Sequence, residues 1–262
     1  MTDSCSTHGT LPVLREGPYA FFFDVDGTLA TLQSRPEAVT IPAGVREHLQ
    51  QLAAQQQGAL ALVSGRPIAE LDRLAAPLNA PLAGVHGAER RDAQGNLHVI
   101  SLPAALVQAL EARLTSTLAQ WPGTQLECKG MAFALHYRRG MAYESQIMQL
   151  AEEVVSQFPE LVLQPGKCVV EIKPQGVDKG EAIRAFMQEP PFTGRIPVFI
   201  GDDLTDEKGF LAVNALQGVS IKVGAGSTHA RYHLDSVEAV WAWLEGSLLQ
   251  RQQNNVGKEF SL

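Results

Sequence analysis

The 262-residue chain lacks the marks of several broad protein classes. It has no run of about eighteen apolar residues, which a membrane-spanning helix needs, and its first residues lack the basic and apolar regions of a signal peptide. Its three cysteines match no metal-site or disulfide spacing. The 21 basic residues are outnumbered by 28 acidic ones, and a net charge of -7 disfavours nucleic-acid binding, because phosphate backbones attract basic surfaces. We therefore expect a monomeric cytoplasmic protein without a nucleic-acid or membrane partner.

The 45% apolar content is enough for a sizeable core. Short apolar runs at 20–23, 59–63 and 196–200 each end at a polar loop, as buried parallel strands do. Helical spacing of apolar residues appears between them, at 44–53 and 67–74. Strands that alternate with helices predict an α/β fold with a doubly wound, Rossmann-like parallel sheet. Such sheets place their chemistry at the carboxyl ends of the strands.

The middle of the chain has a different pattern. Leucines recur at every fourth position from 106 to 118, which indicates an amphipathic helix, and residues 131–138 alternate as a half-buried strand does. These elements predict a small α+β unit inserted into the first domain. We expect a catalytic core at 1–92 and 174–262 and an inserted cap at 93–173.

The first polar loop carries the motif D-V-D-G-T-L, from Asp24 to Leu29. A carboxylate such as Asp24 is a nucleophile at neutral pH without an activating base, and it can attack phosphorus once a cation such as Mg²⁺ removes the repulsion between two anions. A second carboxyl group, here Asp26, can protonate the leaving oxygen and later activate water. The Thr28 hydroxyl can bind a phosphate oxygen. The alternative is a simple polar turn after a strand.

Two shorter segments could complete such a site. S-G-R, from Ser64 to Arg66, ends the second predicted strand, and the Ser64 hydroxyl with the Gly65 N–H could hold phosphoryl oxygens. An ordinary Ser-Gly turn is the alternative. Lys179 lies in D-K-G before a helical stretch and could neutralise the attacking carboxylate, although an exposed lysine would look the same in sequence.

The segment G-D-D-L-T-D-E at 201–207 has four acids in six positions. Such crowding is unfavourable without a positive charge, and hard cations take oxygen ligands. Mg²⁺ is therefore the simplest partner for Asp202, with Asp203 or Asp206. Capping of the next helix, with Asp206 and Glu207 in its first turn, is a competing interpretation.

The order of these four segments resembles that of the haloacid dehalogenase-type phosphatases. More narrowly, H-G-A-E at 86–89, E-I-K-P with D-K-G-E-A at 171–182, and G-D-D-L-T-D-E resemble the bacterial trehalose-6-phosphate phosphatases, over residues 18 to 245. The resemblance implies a Mg²⁺-dependent phosphatase that acts through an aspartyl-phosphate. It implies Asp24 as nucleophile, Asp26 as acid and base, and Asp24, the Asp26 carbonyl and Asp202 as metal ligands.

Charged pairs on two strands of the inserted unit could bind the sugar. Glu127 and Lys129 share one face, as do Glu171 and Lys173. Solvated strand faces are the alternative, but the resemblance implies that Glu127, Lys129 and Glu171 bind the distal glucose. It leaves Lys173 open.

The core loops offer Arg66 and His86 as further substrate-binding candidates, although a structural hydrogen bond would equally explain His86. The core motifs contact only the phosphate, so another sugar phosphate, such as sucrose phosphate or a hexose phosphate, remains an alternative substrate. A non-catalytic phosphate sensor and a dinucleotide-binding domain are weaker alternatives: the acidic motifs are intact, and no G-x-G-x-x-G follows the first strand.

Overall fold

The structure is a computed structural model that describes residues 14, 17–33, 35–128, 131–166 and 168–259, without the side chains of residue 36 and of 249–259. It divides into two compact units. One contains the chain up to His98 and from Asp178 onward, and the other runs from Val99 to Val177. The boundaries that we expected, near 92 and 173, lie a few residues earlier in the chain.

Twelve strands and seven helices are found in the described residues. Among those helices, none is both long and apolar enough to cross a membrane. In chain order the elements are β1 (Tyr19–Phe23), α1 (Ala43–Gln55), β2 (Leu60–Val63), α2 (Ile68–Ala75), β3 (Leu82–Gly84), β4 (Glu89–Arg91), β5 (Leu97–Val99), α3 (Ala104–Leu118), β6 (Gln125–Cys128), β7 (Phe133–His136), α4 (Glu144–Gln157), β8 (Leu161–Gly166), β9 (Val169–Pro174), α5 (Lys179–Met187), β10 (Ile196–Gly201), α6 (Glu207–Ala215), β11 (Val219–Val223), β12 (Tyr232–Leu234) and α7 (Val237–Glu259).

The larger unit contains an eight-stranded sheet in the order β12-β11-β10-β1-β2-β3-β4-β5. The six strands from β12 to β3 are parallel, and β4 runs antiparallel to β3. Both faces of β1 are covered, because Phe21 and Phe23 pack into one apolar cluster and Phe22 packs into another. The prediction of a doubly wound α/β sheet with buried parallel strands is confirmed. The antiparallel edge was not predicted.

The smaller unit has a four-stranded antiparallel sheet in the order β6-β7-β9-β8. One face of this sheet packs on α3 and α4 through an apolar cluster that includes Phe133, Leu135 and Val170. The leucines at 110, 114 and 118 of α3 belong to the same cluster, as the four-residue spacing predicted. The unit is therefore α+β. Strand β8 had no clear pattern in the sequence.

Candidate active site

The first and last acidic motifs meet at the carboxyl ends of neighbouring strands. Asp24 follows β1, Asp202 follows β10, and these strands are paired in parallel. The Asp24 N–H donates to the carbonyl oxygen of Ile200 at 2.9 Å. Gly27 has φ +77°, and a Cβ at this position would collide with the Asp202 carboxylate. Glycine is thus required at position 27 both for its backbone angle and for the close approach of the second loop.

Lys179, the first residue of α5, binds two acids in this region. Its Nζ donates to Asp24 Oδ1 at 2.8 Å and to Asp206 Oδ1 at 2.6 Å. The Lys179 side chain is 2% exposed. Burial works to lower the pKa of Lys179, but the charges of Asp24 and Asp206 outweigh it and hold the pKa above its ordinary value. Lys179 is therefore a permanent positive charge beside Asp24, and not an exposed lysine.

Asp206 organises the loop after β10. Its Oδ2 accepts the backbone N–H groups of Asp202 at 2.8 Å and Asp203 at 2.9 Å, while its Oδ1 accepts from Lys179. The Asp203 carboxylate turns the other way and caps the 3₁₀ turn at Leu204–Asp206, where it accepts the Thr205 N–H at 2.8 Å. Capping therefore accounts for Asp203, a residue that the capping interpretation of this segment did not name.

A group of three carboxylates has the chemistry of a hard-cation site. One oxygen each from Asp24, Asp202 and Asp206 lies within 4.8 Å of the others. The Asp202 Oδ1 atom is buried and has no hydrogen-bond partner among the described residues. Oxygen ligands at this separation suit Mg²⁺. Asp203, also predicted as a ligand, lies outside this group.

Burial, together with the repulsion between neighbouring carboxylates, raises the pKa values of the three acids. Burial, opposed by Lys179, raises the pKa of Asp24 to about 7. Burial and the neighbouring charge of Asp24 raise the pKa of Asp206 to about 7, and burial with the charges of Asp206 and Asp203 raises that of Asp202 to about 6. A divalent cation would relieve this repulsion, so the residues present fit a bound Mg²⁺.

Asp26 is held by Arg66 in a bidentate ion pair. Arg66 Nε donates to Asp26 Oδ2 at 2.6 Å, and Arg66 Nη2 donates to Asp26 Oδ1 at 2.7 Å. A third donor of the guanidinium, Nη1, reaches Glu70 Oε2 at 2.8 Å. Arg66, predicted to bind substrate, thus lies beside the predicted acid and base, and Glu70 helps to hold it.

The remaining predicted residues of the larger unit are Thr28, Ser64, Gly65 and His86. The Thr28 hydroxyl is buried and has no hydrogen-bond partner among the described residues, and the Ser64 Oγ accepts the Arg66 N–H at 3.3 Å. The His86 ring lies over Gly65, because a Cβ at position 65 would lie 2.7 Å from its Cε1 atom. His86 itself has φ 56°, in the left-handed region that non-glycine residues seldom adopt. All four residues lie in the loops that follow the carboxyl ends of the parallel strands β1, β2 and β3.

The predicted sugar-binding residues lie in the smaller unit. Glu127 is paired with Ala134 across β6 and β7, and Ala134 is paired with Glu171 across β7 and β9. Residues directly opposite each other share a face, so the two glutamates flank one alanine on the face opposite the apolar cluster. His136 Nε2 lies 2.9 Å from Glu127 Oε2. Lys129 lies outside the described residues. The sugar-binding roles stay predictions.

Sequence reasoning missed three residues that contact the predicted set: Glu70, His136 and Lys222. Glu70 lies four positions after Arg66 at the start of α2, and this spacing is a usable signal for an ion pair. His136 lies in the alternating segment at 131–138, and that alternation does not predict its contact with Glu127. The Lys222 Nζ donates to the Asp202 carbonyl. A single lysine within an apolar strand does not predict this contact.

Comparison with known proteins agrees with the geometry. A family model described as trehalose-phosphatase matches residues 22–238. The chain is 53% identical to the trehalose-6-phosphate phosphatase of Escherichia coli K12, over 92% of each protein. It is 44% identical to a probable trehalose-phosphate phosphatase of Sinorhizobium fredii, over 79% of this chain and 78% of that protein. A crystal structure of Aspergillus fumigatus trehalose-6-phosphate phosphatase superimposes with a TM-score of 0.74 at 26% identity, over 88% of this chain and 93% of the other. The chain therefore belongs to the trehalose-phosphatase family and is a phosphoric monoester hydrolase.

Proposed function

We propose that the protein hydrolyses trehalose 6-phosphate to trehalose and phosphate, with Asp24 as nucleophile and Mg²⁺ as cofactor. The observation that carries this proposal is the buried Asp24–Lys179–Asp206 arrangement in a chain that is more than half identical to a trehalose-6-phosphate phosphatase. A cytoplasmic location and a monomeric state accompany the proposal as predictions from the sequence.

In the first step, an Asp24 carboxylate oxygen attacks phosphorus and the bond between phosphorus and the sugar oxygen breaks. Asp24 must be ionised to attack, although burial raises its pKa to about 7. The Lys179 ammonium group at 2.8 Å stabilises the ionised form and offsets the negative charge of the incoming phosphoryl oxygens. Lys179 therefore has an electrostatic role in both ground state and transition state.

Asp26 is the proposed acid and base. In its protonated form Asp26 would give its proton to the leaving sugar oxygen; as the resulting carboxylate it would then take a proton from the water that attacks the phosphorus of the aspartyl-phosphate. That second attack breaks the bond between phosphorus and the Asp24 oxygen and releases phosphate. The bidentate pair with Arg66 fixes the position of the Asp26 carboxyl group. We infer that the pair must open when substrate binds, which would free the guanidinium for a phosphoryl oxygen.

Asp24 and Asp202 are the proposed direct ligands of Mg²⁺, together with the Asp26 carbonyl. When bound, the ion neutralises part of the charge on the phosphoryl oxygens and on the nucleophile. Both Asp206 oxygens already accept hydrogen bonds, so its proposed role is to hold the loop and Lys179 in place. Asp203 caps the adjacent turn and is the weaker candidate ligand.

We propose that the unit from Val99 to Val177 is a specificity-determining cap. Neighbouring strands lie about 4.8 Å apart, so Glu127 and Glu171, with one strand between them, are spaced by about 10 Å. Carboxylates that each accept hydrogen bonds from sugar hydroxyls reject analogues in which those hydroxyls are missing or displaced.

The test is a substrate panel with the purified chain and Mg²⁺, read as phosphate release. Trehalose 6-phosphate should be hydrolysed with a kcat/KM well above those for sucrose 6-phosphate and glucose 6-phosphate. Equal rates on all three would contradict the substrate assignment while leaving the phosphatase chemistry intact. No turnover of any of them would contradict both.

A further inference from the structure

Lys222 is a buried lysine that the proposed chemistry does not use. It is 7% exposed and lies near the carboxyl end of β11, where it is paired with Gly201 of β10. The flanking residues Ile221 and Val223 point into an apolar cluster, so Lys222 lies on the opposite face of the strand, together with Ser220. Its Nζ donates to the backbone carbonyl of Asp202. A buried ammonium group is unfavourable unless it is paired, and its partner is a proposed metal ligand.

The backbone on both sides of Asp202 is thereby fixed. Its N–H donates to Asp206 Oδ2 at 2.8 Å, and its carbonyl accepts from Lys222. The Asp202 side chain, unlike its backbone, has an oxygen without a hydrogen bond: its Oδ1 is buried and has no hydrogen-bond partner among the described residues. These contacts hold the main chain in place and leave the carboxylate available for a cation.

The charges around the cluster give a second reason to assign a role to Lys222. Asp202 is surrounded by the charges of Asp203, Asp206, Lys179 and Lys222, and Asp24 completes the group of acids. Four carboxylates against two ammonium groups leave a surplus of two negative charges. One divalent cation would cancel that surplus.

We propose that Lys222 is a positioning residue that aims the Asp202 carboxylate at the metal site by holding the Asp202 carbonyl; the proposal rests on the Mg²⁺ site of the proposed function. A role of this kind and a purely electrostatic role predict opposite results. Removal of a positive charge near the ion would by itself tighten Mg²⁺ binding. Loss of the hydrogen bond that orients a ligand weakens metal binding, typically by 10- to 100-fold.

The experiment is calorimetric titration of the metal-free full-length protein with Mg²⁺, for the wild type and for Lys222→Met, which removes the charge and the donor at similar length. We expect the Kd for Mg²⁺ to rise about tenfold or more in the variant. The Mg²⁺ concentration for half-maximal activity should rise with it, while the KM for trehalose 6-phosphate at saturating Mg²⁺ stays near the wild-type value.

Ser220→Ala is the matched control. Ser220 is also buried on the same face of β11, and its hydroxyl binds Asn214 at 2.7 Å, away from the acids. This variant should lose stability without a change in the Kd for Mg²⁺. If Lys222→Met cannot be purified folded, Lys222→Gln gives the same test, because it also removes the charge and shortens the reach to the Asp202 carbonyl.

An unchanged or tighter Kd in the folded Lys222 variant would overturn the positioning role. An equally weakened Kd in Ser220→Ala would overturn it as well, because the effect would then belong to the strand and not to the lysine. A wild-type protein that binds no Mg²⁺ would contradict the proposed metal site itself, and that result is recognisable before any variant is made.

Discussion

Removal of divalent cations should make the stability of the protein fall as the pH rises from about 4 to about 7. The reason is that Asp24, Asp206 and Asp202 have folded-state pKa values of about 7, about 7 and about 6, above the value of 3.8 for an unperturbed aspartate. Between the unfolded and folded pKa values, the folded protein binds more protons than the unfolded protein. The free energy of unfolding of the metal-free protein must then decrease with increasing pH over that range.

The size of the effect follows from the buried acids. A pKa that moves from 3.8 to about 7, as for Asp24, corresponds to about 4 kcal/mol between the two ends of the range. A free-energy change of that size shifts the Tm of a protein of this length by about 10 °C. The positive charge of Lys179 favours the ionised forms of Asp24 and Asp206. The total loss of stability is therefore smaller than the sum for three independent acids.

Bound Mg²⁺ offsets the repulsion between the ionised acids. The increase in Tm that it produces should therefore be largest at the pH values at which the metal-free acids are ionised. Scanning calorimetry at about pH 5 and about pH 8, with EDTA or with Mg²⁺, measures this increase directly. We expect a larger increase at the higher pH. Asp72→Asn is a control, since Asp72 is a half-exposed partner of Arg91 away from the cluster, and this variant should give the same increase as wild type at each pH. An increase that is equal at both pH values, or larger at the lower one, would refute the account of the buried acids.

Four substitutions test other parts of the proposed sites. Asp24→Asn should reduce turnover to background while circular dichroism and Tm show an intact fold, and substantial residual activity would rule out a nucleophilic Asp24. Gly27→Ala should weaken Mg²⁺ binding, because the new methyl group collides with the Asp202 carboxylate and the backbone has φ +77°; an unchanged Kd in calorimetry would contradict the close approach of the two loops. Glu127→Gln and Glu171→Gln should raise the KM for trehalose 6-phosphate but leave turnover of an aryl phosphate near wild type, and parallel losses on both substrates would remove these residues from sugar recognition.

The convergence of the acidic motifs was predictable from sequence because it follows from topology. Asp24 and Asp202 each come directly after a short apolar run, and parallel strands carry such residues to one edge of the sheet. The same argument placed Ser64 beside them. This argument needs only the positions of the short apolar runs and the identity of the residue at which each run ends.

The side-chain pairs within the site were not predictable in this way. Arg66 and Asp26 are 40 positions apart and Lys222 and Asp202 are 20 apart. Such contacts depend on side-chain direction and on loop geometry, which no local pattern reports. Asp206 shows the same limit: it was predicted as a ligand and one of its oxygens does lie near those of Asp24 and Asp202, but no sequence pattern predicted that its carboxylate also holds the loop and Lys179.

The most direct test of a nucleophilic Asp24 is chemical trapping of the intermediate. The enzyme is mixed with trehalose 6-phosphate and Mg²⁺, quenched in acid within one turnover, and treated with borohydride, which reduces an acyl phosphate to an alcohol. Mass spectrometry of the peptides should then find position 24 converted from aspartate to homoserine, and Asp26 and Asp202 unchanged. Active enzyme with no conversion at position 24, or with conversion at another carboxylate, would contradict the proposed mechanism.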